Sequence, residues 1–264
     1  MNYAVFDYDG FICKSFFAAC RDEIKAQEIL ADLTCTAIDK ARRYFDYEDT
    51  KPILIVSGHS WKKDLYKGYK INREKDPYVS AYRDYIIEEV AGAIKSVSLE
   101  ADELCIMLHD YMETNNDNCI IFSDDKDLKY SSKLSCGINL IEEINSNHTE
   151  EELYKQMLAG DKEDDIVGIP KVGMKTAEKI LNENGFNIEG VIKAYKDKQI
   201  SIDECIKNIN LIIPMKRKFN NNLKDYDNVC KALMLHGKIE EVLINKVQQG
   251  QLEYLQEKVK EMYK

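Results

Sequence analysis

The 264-residue chain predicts an α/β fold, with a mainly parallel central sheet flanked by helices and continued by a helical lobe. Three observations carry this expectation. Short apolar runs alternate with longer helical patterns over the first 150 residues, as strand–helix–strand crossovers require. The first two runs end in Asp7 and in Ser57-Gly58. Beyond Glu150 the patterns are helical, broken by Gly160, by Gly168 to Pro170, and by Gly173 and Gly185.

Taken in order, Tyr3 to Phe6 reads as a buried strand ending in Asp7. Residues 16–44 read as one helix, with Phe16, Phe17, Ile24, Ile29, Leu30, Leu33 and Ile38 along an approximate apolar face. Pro52 introduces a second strand, Ile53 to Val56. Asp76-Pro77 pairs a cap with a first-turn proline and opens a helix to about Lys95. A further helix covers 100–113. Asn115 to Asn118 then turn the chain into a strand at Cys119 to Phe122, and a fourth strand is expected at Ile138–Ile141. The expected division is an α/β core over 1–155 and a helical lobe over 156–264 packed on it. The charged helical stretch from 237 to 264 has no purpose legible in the sequence.

Hydrophobic residues make up 44% of the chain and charged residues 32%, so a sizeable core and a well-solvated surface are both available. No run has the length of a membrane span, and the start lacks the basic and apolar regions of a signal peptide. The eight cysteines, from Cys13 to Cys230, form no CxxC pair and no zinc-spaced ladder with histidine. They read as reduced residues of a cytoplasmic protein. A net charge of −10 argues by itself against a nucleic-acid partner, because phosphate contacts need Lys and Arg. Carboxylates that serve as metal ligands would reverse that sign locally.

The acids are grouped. Asp7, the segment Glu100-Ala101-Asp102-Glu103, the segment Asp124-Asp125-Lys126-Asp127, and Asp161 to Asp165 all stand at strand ends, helix starts or turns. In a parallel sheet Asp7 and the Asp125/Asp127 pair converge along one edge. Glu100 and Glu103 share a helix face, and Asp161 and Asp164 repeat their spacing. Anions brought together this way repel one another unless hard divalent cations with oxygen ligands, Mg²⁺ or Mn²⁺, neutralise them. Taken singly, each group reads better as a solvated face or a helix cap than as a ligand set, and Glu100 and Glu103 as first-turn acids answering a helix dipole.

Five segments in order make the pattern specific. Val5-Phe6-Asp7 with Lys14 to Ala19, Tyr69-Lys70-Ile71-Asn72-Arg73, Glu100 to Glu103, Ser123 to Leu128, and Gly160 to Ile166 with Gly168 to Ala177 resemble the motifs of the flap endonuclease/5′-3′ exonuclease family. The resemblance implies a PIN-like nuclease core, an arch at about 60–98, and a helix-hairpin-helix-like DNA grip in the lobe. It implies phosphodiester hydrolysis with two metal ions roughly 4 Å apart. Asp7, Glu100 and Asp102 would hold the first ion, and Glu103, Asp125, Asp127, Asp161 and Asp164 would surround the second. Lys70 and Arg73 would contact the scissile phosphate. Lys67, Gly168, Gly173, Lys175 and Thr176 would grip DNA, with a monovalent cation such as K⁺ at the hairpin turn. The implied partner is DNA with a 5′ end, flap or nick, with an RNA–DNA hybrid as a further substrate, acted on by a monomer in replication or repair in a bacterial or phage-infected cell. Tyr78, Tyr82 and Tyr85 would line the arch wall. The chain departs from the family pattern at Ser57, where a further Asp is usual, at Glu103 in place of Asp, and at Asp165 in place of Asn.

Two other readings start from the same residues. Asp7-Tyr8-Asp9-Gly10 also resembles the opening of haloacid-dehalogenase-type phosphatases, with Asp7 as nucleophile and Asp9 as acid/base. The other reading is a DNA-binding relative whose metal site decayed at Ser57.

Overall fold

The computed structural model describes residues 1–89, 92–125, 128, 134–137, 140–143 and 146–264, with 134–137, 140–143 and 146–149 described by backbone alone. The expected ligand Asp127, part of the Asp124–Asp127 segment, lies outside the described residues.

The central sheet contains β1 (Asn2–Asp7), β2 (Thr50–Val56), β3 (Ala93–Lys95), β4 (Asn118–Phe122), β5 (Leu134–Gly137) and β6 (Leu140–Glu143). Their order is β3-β2-β1-β4-β5-β6, and every neighbouring pair is parallel except β5 with β6. Alternate residues of β1 feed opposite faces. Tyr3 and Val5 join a cluster with Ile53, Ile55, Leu104 and Cys105. Ala4 and Phe6 join one with Phe11, Phe16, Ile120 and Phe122. A sheet covered on both sides explains why the strands read as unbroken apolar runs. From β1 the chain moves outward to β2 and β3, then returns to β4 on the other side. The carboxyl ends of β1 and β4 therefore flank the switch point of the sheet, where open α/β folds form their crevice.

Several elements differ from expectation. The predicted helix 16–44 is two helices, α1 (Tyr8–Ala18) and α2 (Glu23–Tyr44). Cys20 and Arg21 take positive φ between them, and Asp22 caps α2 by accepting from the Lys25 N–H at 3.1 Å. The apolar periodicity runs across the break, so left-handed backbone at Cys20 and Arg21 and a new cap at Asp22 divided the helix where the pattern did not. Helix α3 (Lys62–Leu65) is short, and α4 (Pro77–Glu89) stops before Lys95. Ala93–Lys95 instead pairs with Leu54–Val56. Pro52 lies inside β2 opposite Ala4 rather than before it. Because β3 reaches only to Leu54, the missing N–H of Pro52 costs no ladder bond on that side. Strand β5 was not expected at all.

In the segment expected as an arch, α4 packs on α1. Tyr82 is 1% exposed and its ring stacks on Phe16 with centroids 4.9 Å apart. Tyr82 is thus core rather than a wall for bases, because apolar partners cover it; Tyr78 and Tyr85 stay exposed.

Helix α5 (Ala101–Thr114) lies under the sheet, followed by α6 (Ser146–Ala159), a two-stranded pair β7 (Gly160–Asp161) with β8 (Ile166–Val167), α7 (Met174–Asn184), α8 (Ile188–Asp197), α9 (Ile202–Ile212), α10 (Leu223–His236) and α11 (Glu241–Tyr263). Helix α11 gives the terminal stretch a purpose. Its Ile244 and Val247 join the cluster beneath the sheet, and its Leu255 and Val259 join the cluster of the helical half. Among the described residues no helix is long and apolar enough to cross a membrane.

Gly58, just past β2, lies against the next crossover. A methyl there would sit 2.7 Å from the Ser96 carbonyl carbon and 2.9 Å from the Val97 oxygen. Backbone cannot swing aside as a side chain can. Gly58→Ala is expected to cost about 1–3 kcal/mol, read as a lower urea midpoint at unchanged m-value.

Candidate active site

Sheet register builds the first part of the site. Phe6 pairs with Phe122, so Asp7 and Ser123 emerge side by side at the switch point. Ser123 Oγ donates to Asp7 Oδ2 at 2.8 Å and accepts from the Asp125 N–H at 3.0 Å, which ties the turn after β4 to the end of β1. Burial pushes the Asp7 carboxyl up to about 7; the Ser123 bond opposes the shift, and negative Asp9, Asp125 and Asp124 add to it. Lys14 pairs with Asp124 on the rim.

Asp9 belongs to the scaffold. Its Oδ1 accepts from Arg83 Nε at 2.5 Å and its Oδ2 from the Ser57 N–H at 2.7 Å, while Arg83 also donates to the Ser57 carbonyl. Ser57 Oγ accepts from the Ala101 N–H at 2.9 Å and so serves an orphan donor of the α5 N-terminus. Where the family pattern has an acid, this chain has a helix-capping hydroxyl. The arrangement contradicts the phosphatase reading, which needs Asp9 as a mobile acid/base in a loop. Both of its oxygens are bonded, and helix α1 begins at Tyr8.

The second part forms where α5 starts. Glu100 and Glu103 make a reciprocal capping box. Glu100 accepts from Tyr69 Oη and from Lys70 Nζ, each at 2.7 Å. Burial opposes the Glu100 charge, yet Lys62 and Lys70 hold its pKa below the ordinary glutamate value. Asp102 is pushed well above the usual aspartate range by burial and by Glu100. Glu103 is 1% exposed; Trp61 Nε1 reaches its two oxygens at 3.1 and 3.2 Å, and Lys62 Nζ lies 3.5 Å away.

Two segments 93 residues apart then close over Glu100. The Lys70 N–H, at a left-handed φ of 52°, donates to the Asp164 carbonyl at 3.0 Å. Asn72 donates to Asp165 twice, from its backbone at 3.0 Å and from Nδ2 at 2.7 Å, holding the Asp165 carboxyl below its ordinary pKa. Tyr69 Oη also reaches Asp164 at 3.1 Å, and Lys70 Nζ lies 3.6 Å from that carboxylate. Burial raises the Asp164 pKa against the pull of Lys70. Asp161 is 7% exposed, with Gln156 Nε2 donating to it at 2.6 Å. One cavity is lined by Lys62, Tyr69, Asp102, Glu103, Asp161 and Asp164.

The predicted residues therefore fall in two neighbourhoods. Asp7 and Asp125 stand at the sheet edge; Glu100, Asp102, Glu103, Asp161 and Asp164 stand around Lys62 and Lys70. The buried Cys105 thiol, one turn along α5, is pushed up by burial and by both Asp7 and Asp102, so the neighbourhoods adjoin. Among the described residues no three His, Cys, Asp or Glu side chains converge on one point as a metal ion would hold them. The donors nevertheless fit a hard divalent cation. They are all oxygen, and Asp7, Asp102 and Asp164 carry pKa values raised by burial. Arg73 and Lys67 are exposed nearby in sequence, and Lys67 lies 3.7 Å from Asp64.

At the hairpin, Gly160 and Gly168 approach too closely for any side chain on either. Gly173 begins α7 with open space around its Cα, and Lys175 and Thr176 are exposed on the first turn. Backbone N–H groups of a helix start are thus presented outward. Sequence reasoning missed Trp61 and Arg83. Their roles depend on partners 42 and 74 residues distant, which no local pattern reveals.

No protein-family model matches the chain. It is 27% identical over 216 residues to a 5′-3′ exonuclease of Buchnera aphidicola subsp. Acyrthosiphon pisum, covering 72% of this chain and 73% of that protein. It is 24% identical over 197 residues to flap endonuclease Xni of Colwellia psychrerythraea, covering 66% and 67%. The fold is similar to that of T5 5′-exonuclease with bound zinc, at a TM-score of 0.64 and 14% identity over the whole of both chains. Sequence relatives and fold agree: the chain is a homologue of the 5′-3′ exonucleases and flap endonucleases.

Proposed function

We propose that the chain is a divalent-metal-dependent 5′ nuclease that hydrolyses phosphodiester bonds near a 5′ end, flap or nick in DNA. The observation that carries this is the docking of the Tyr69–Arg73 segment onto Asp164 and Asp165 over the capped Glu100. It supports the reading because it sets the Lys70 ammonium, the proposed phosphate contact, between the Glu100 and Asp164 carboxylates.

Asp7 and Asp125 at the sheet edge, with Glu100 and Asp102 at the start of α5, would hold one ion; Asp161 and Asp164 would hold another. When bound, Mg²⁺ or Mn²⁺ supplies an activated water and charge neutralisation at the phosphate. Lys70, set by Tyr69 and Glu100, leaves Glu100 to meet the scissile phosphate and stabilise developing charge there. Arg73 adds a second cation at the same segment. Gly168, Gly173, Lys175 and Thr176 grip the duplex through the exposed start of α7, where a K⁺ ion would sit at the turn, and Lys67 adds to the basic rim. The division into a core over 1–155 and a lobe over 156–264 is part of this reading, as is action by a monomer. RNA–DNA hybrids are a further substrate on this reading.

The test is cleavage of a 5′-labelled flap duplex, and of nicked and RNA–DNA duplexes, with Mg²⁺ and with EDTA. Cleavage that stops in EDTA supports the proposal. Binding of the flap in Mg²⁺ without cleavage would replace it with the decayed-site reading. Lys175→Glu is expected to weaken duplex binding roughly ten-fold and to flatten its salt dependence, read by fluorescence anisotropy across a salt series.

A further inference from the structure

Lys62 is the least expected residue of the site. Its side chain is 7% exposed, in the first turn of a four-residue helix. Nζ lies 3.5 Å from Glu103 Oε1, 4.0 Å from Glu100 Oε2 and 5.8 Å over the Tyr69 ring. It lines the cavity shared by Asp102, Asp161 and Asp164. Burial works against its charge, but Glu103, Glu100, Asp102 and Asp164 outweigh burial and keep it protonated.

Building on the metal-dependent reading above, we infer that Lys62 is a fixed internal cation of this cluster, a positioning residue that assembles the carboxylates before metal arrives and competes with the metal for them. The physical reason is charge balance. Five acids, Glu100, Asp102, Glu103, Asp161 and Asp164, meet two ammoniums, Lys62 and Lys70. Without Lys62 the acids repel and the cluster loosens. With it, part of the charge that would bind a divalent ion is already satisfied. Lys70, 13% exposed, bonds Glu100 and faces Asp164, whereas Lys62, 7% exposed, faces Glu103 and Glu100.

Mn²⁺ binding to the full chain, followed by calorimetry and by electron paramagnetic resonance, tests this alongside thermal melting in EDTA. Lys62→Met is expected to bind Mn²⁺ about ten-fold more tightly, because a unit charge a few ångströms away is removed. Its metal-free form should melt lower than the wild type, and Mn²⁺ should restore the difference. Lys62→Arg keeps the charge and should keep the wild-type Mn²⁺ affinity. If Lys62→Met does not fold without metal, the pair variant Lys62→Met with Glu103→Leu removes charge and counter-charge together and should bind Mn²⁺ close to wild type. Unchanged or weaker Mn²⁺ binding by Lys62→Met, with the wild type binding normally, overturns the inference. A wild type that binds no Mn²⁺ overturns the metal-dependent reading itself.

Discussion

Replacing Asp7 with Asn is expected to abolish Mg²⁺-dependent cleavage of a flap substrate, by about a hundred-fold or more, while making the metal-free chain more stable at pH 8. The two effects have one cause. Asp7 stands half-buried at the end of a strand whose other residues are all buried, so its charge is disfavoured there, and only Ser123 Oγ among the described hydrogen bonds supports it. Its folded pKa, about 7, lies above that of an unfolded aspartate. The folded state therefore binds the extra proton between about pH 4 and 7, and stability falls as pH rises through that window. Asn keeps the shape and can accept the Ser123 bond without the charge. Its advantage in EDTA should be full above pH 7 and fade as the pH falls toward 4. Melting curves at pH 5 and pH 8, with a cleavage assay on the same preparations, check both halves. Retained cleavage would remove Asp7 from the metal site.

Glu103→Ala is expected to destabilise the chain by about 3–5 kcal/mol with EDTA present, because it removes the anion nearest buried Lys62 and leaves Glu100, at 4.0 Å, as its ion-pair partner among the described residues. It also strands the Trp61 indole N–H and opens the capping box of α5. Denaturant unfolding without metal measures this. A purely metal-binding Glu103 would show wild-type stability in EDTA and a loss confined to metal affinity. The family resemblance places Glu103 at the second ion, but its partners here are Trp61, Lys62 and the Glu100 N–H.

Much was legible in the chain itself. The alternation of apolar runs and helical patterns specified an α/β fold, because strands buried on both faces must be apolar throughout and the crossovers between them must be amphipathic. The acids at strand ends and helix starts marked the candidate site, because a parallel sheet brings its carboxyl ends to one edge. The Tyr69–Arg73 and Asp161–Asp165 segments were also recognisable, each by its own residues.

Sequence could not say which acids are ligands and which are scaffold, since a carboxylate's role is set by what reaches it in space. Asp9 went to Arg83, Ser57 to the start of α5, and Glu103 to Trp61 and Lys62. The same limit hid the break at Asp22, the edge strand Ala93–Lys95 and the packing of Tyr82, where a cap, a partner strand and a stacked ring overrode local periodicity. Sequence by itself determined the layers of the fold and the set of residues from which a site could be made. Tertiary structure alone decided how positive charge is shared among them, because electrostatic energy depends on distance and burial, and neither is written in the order of residues.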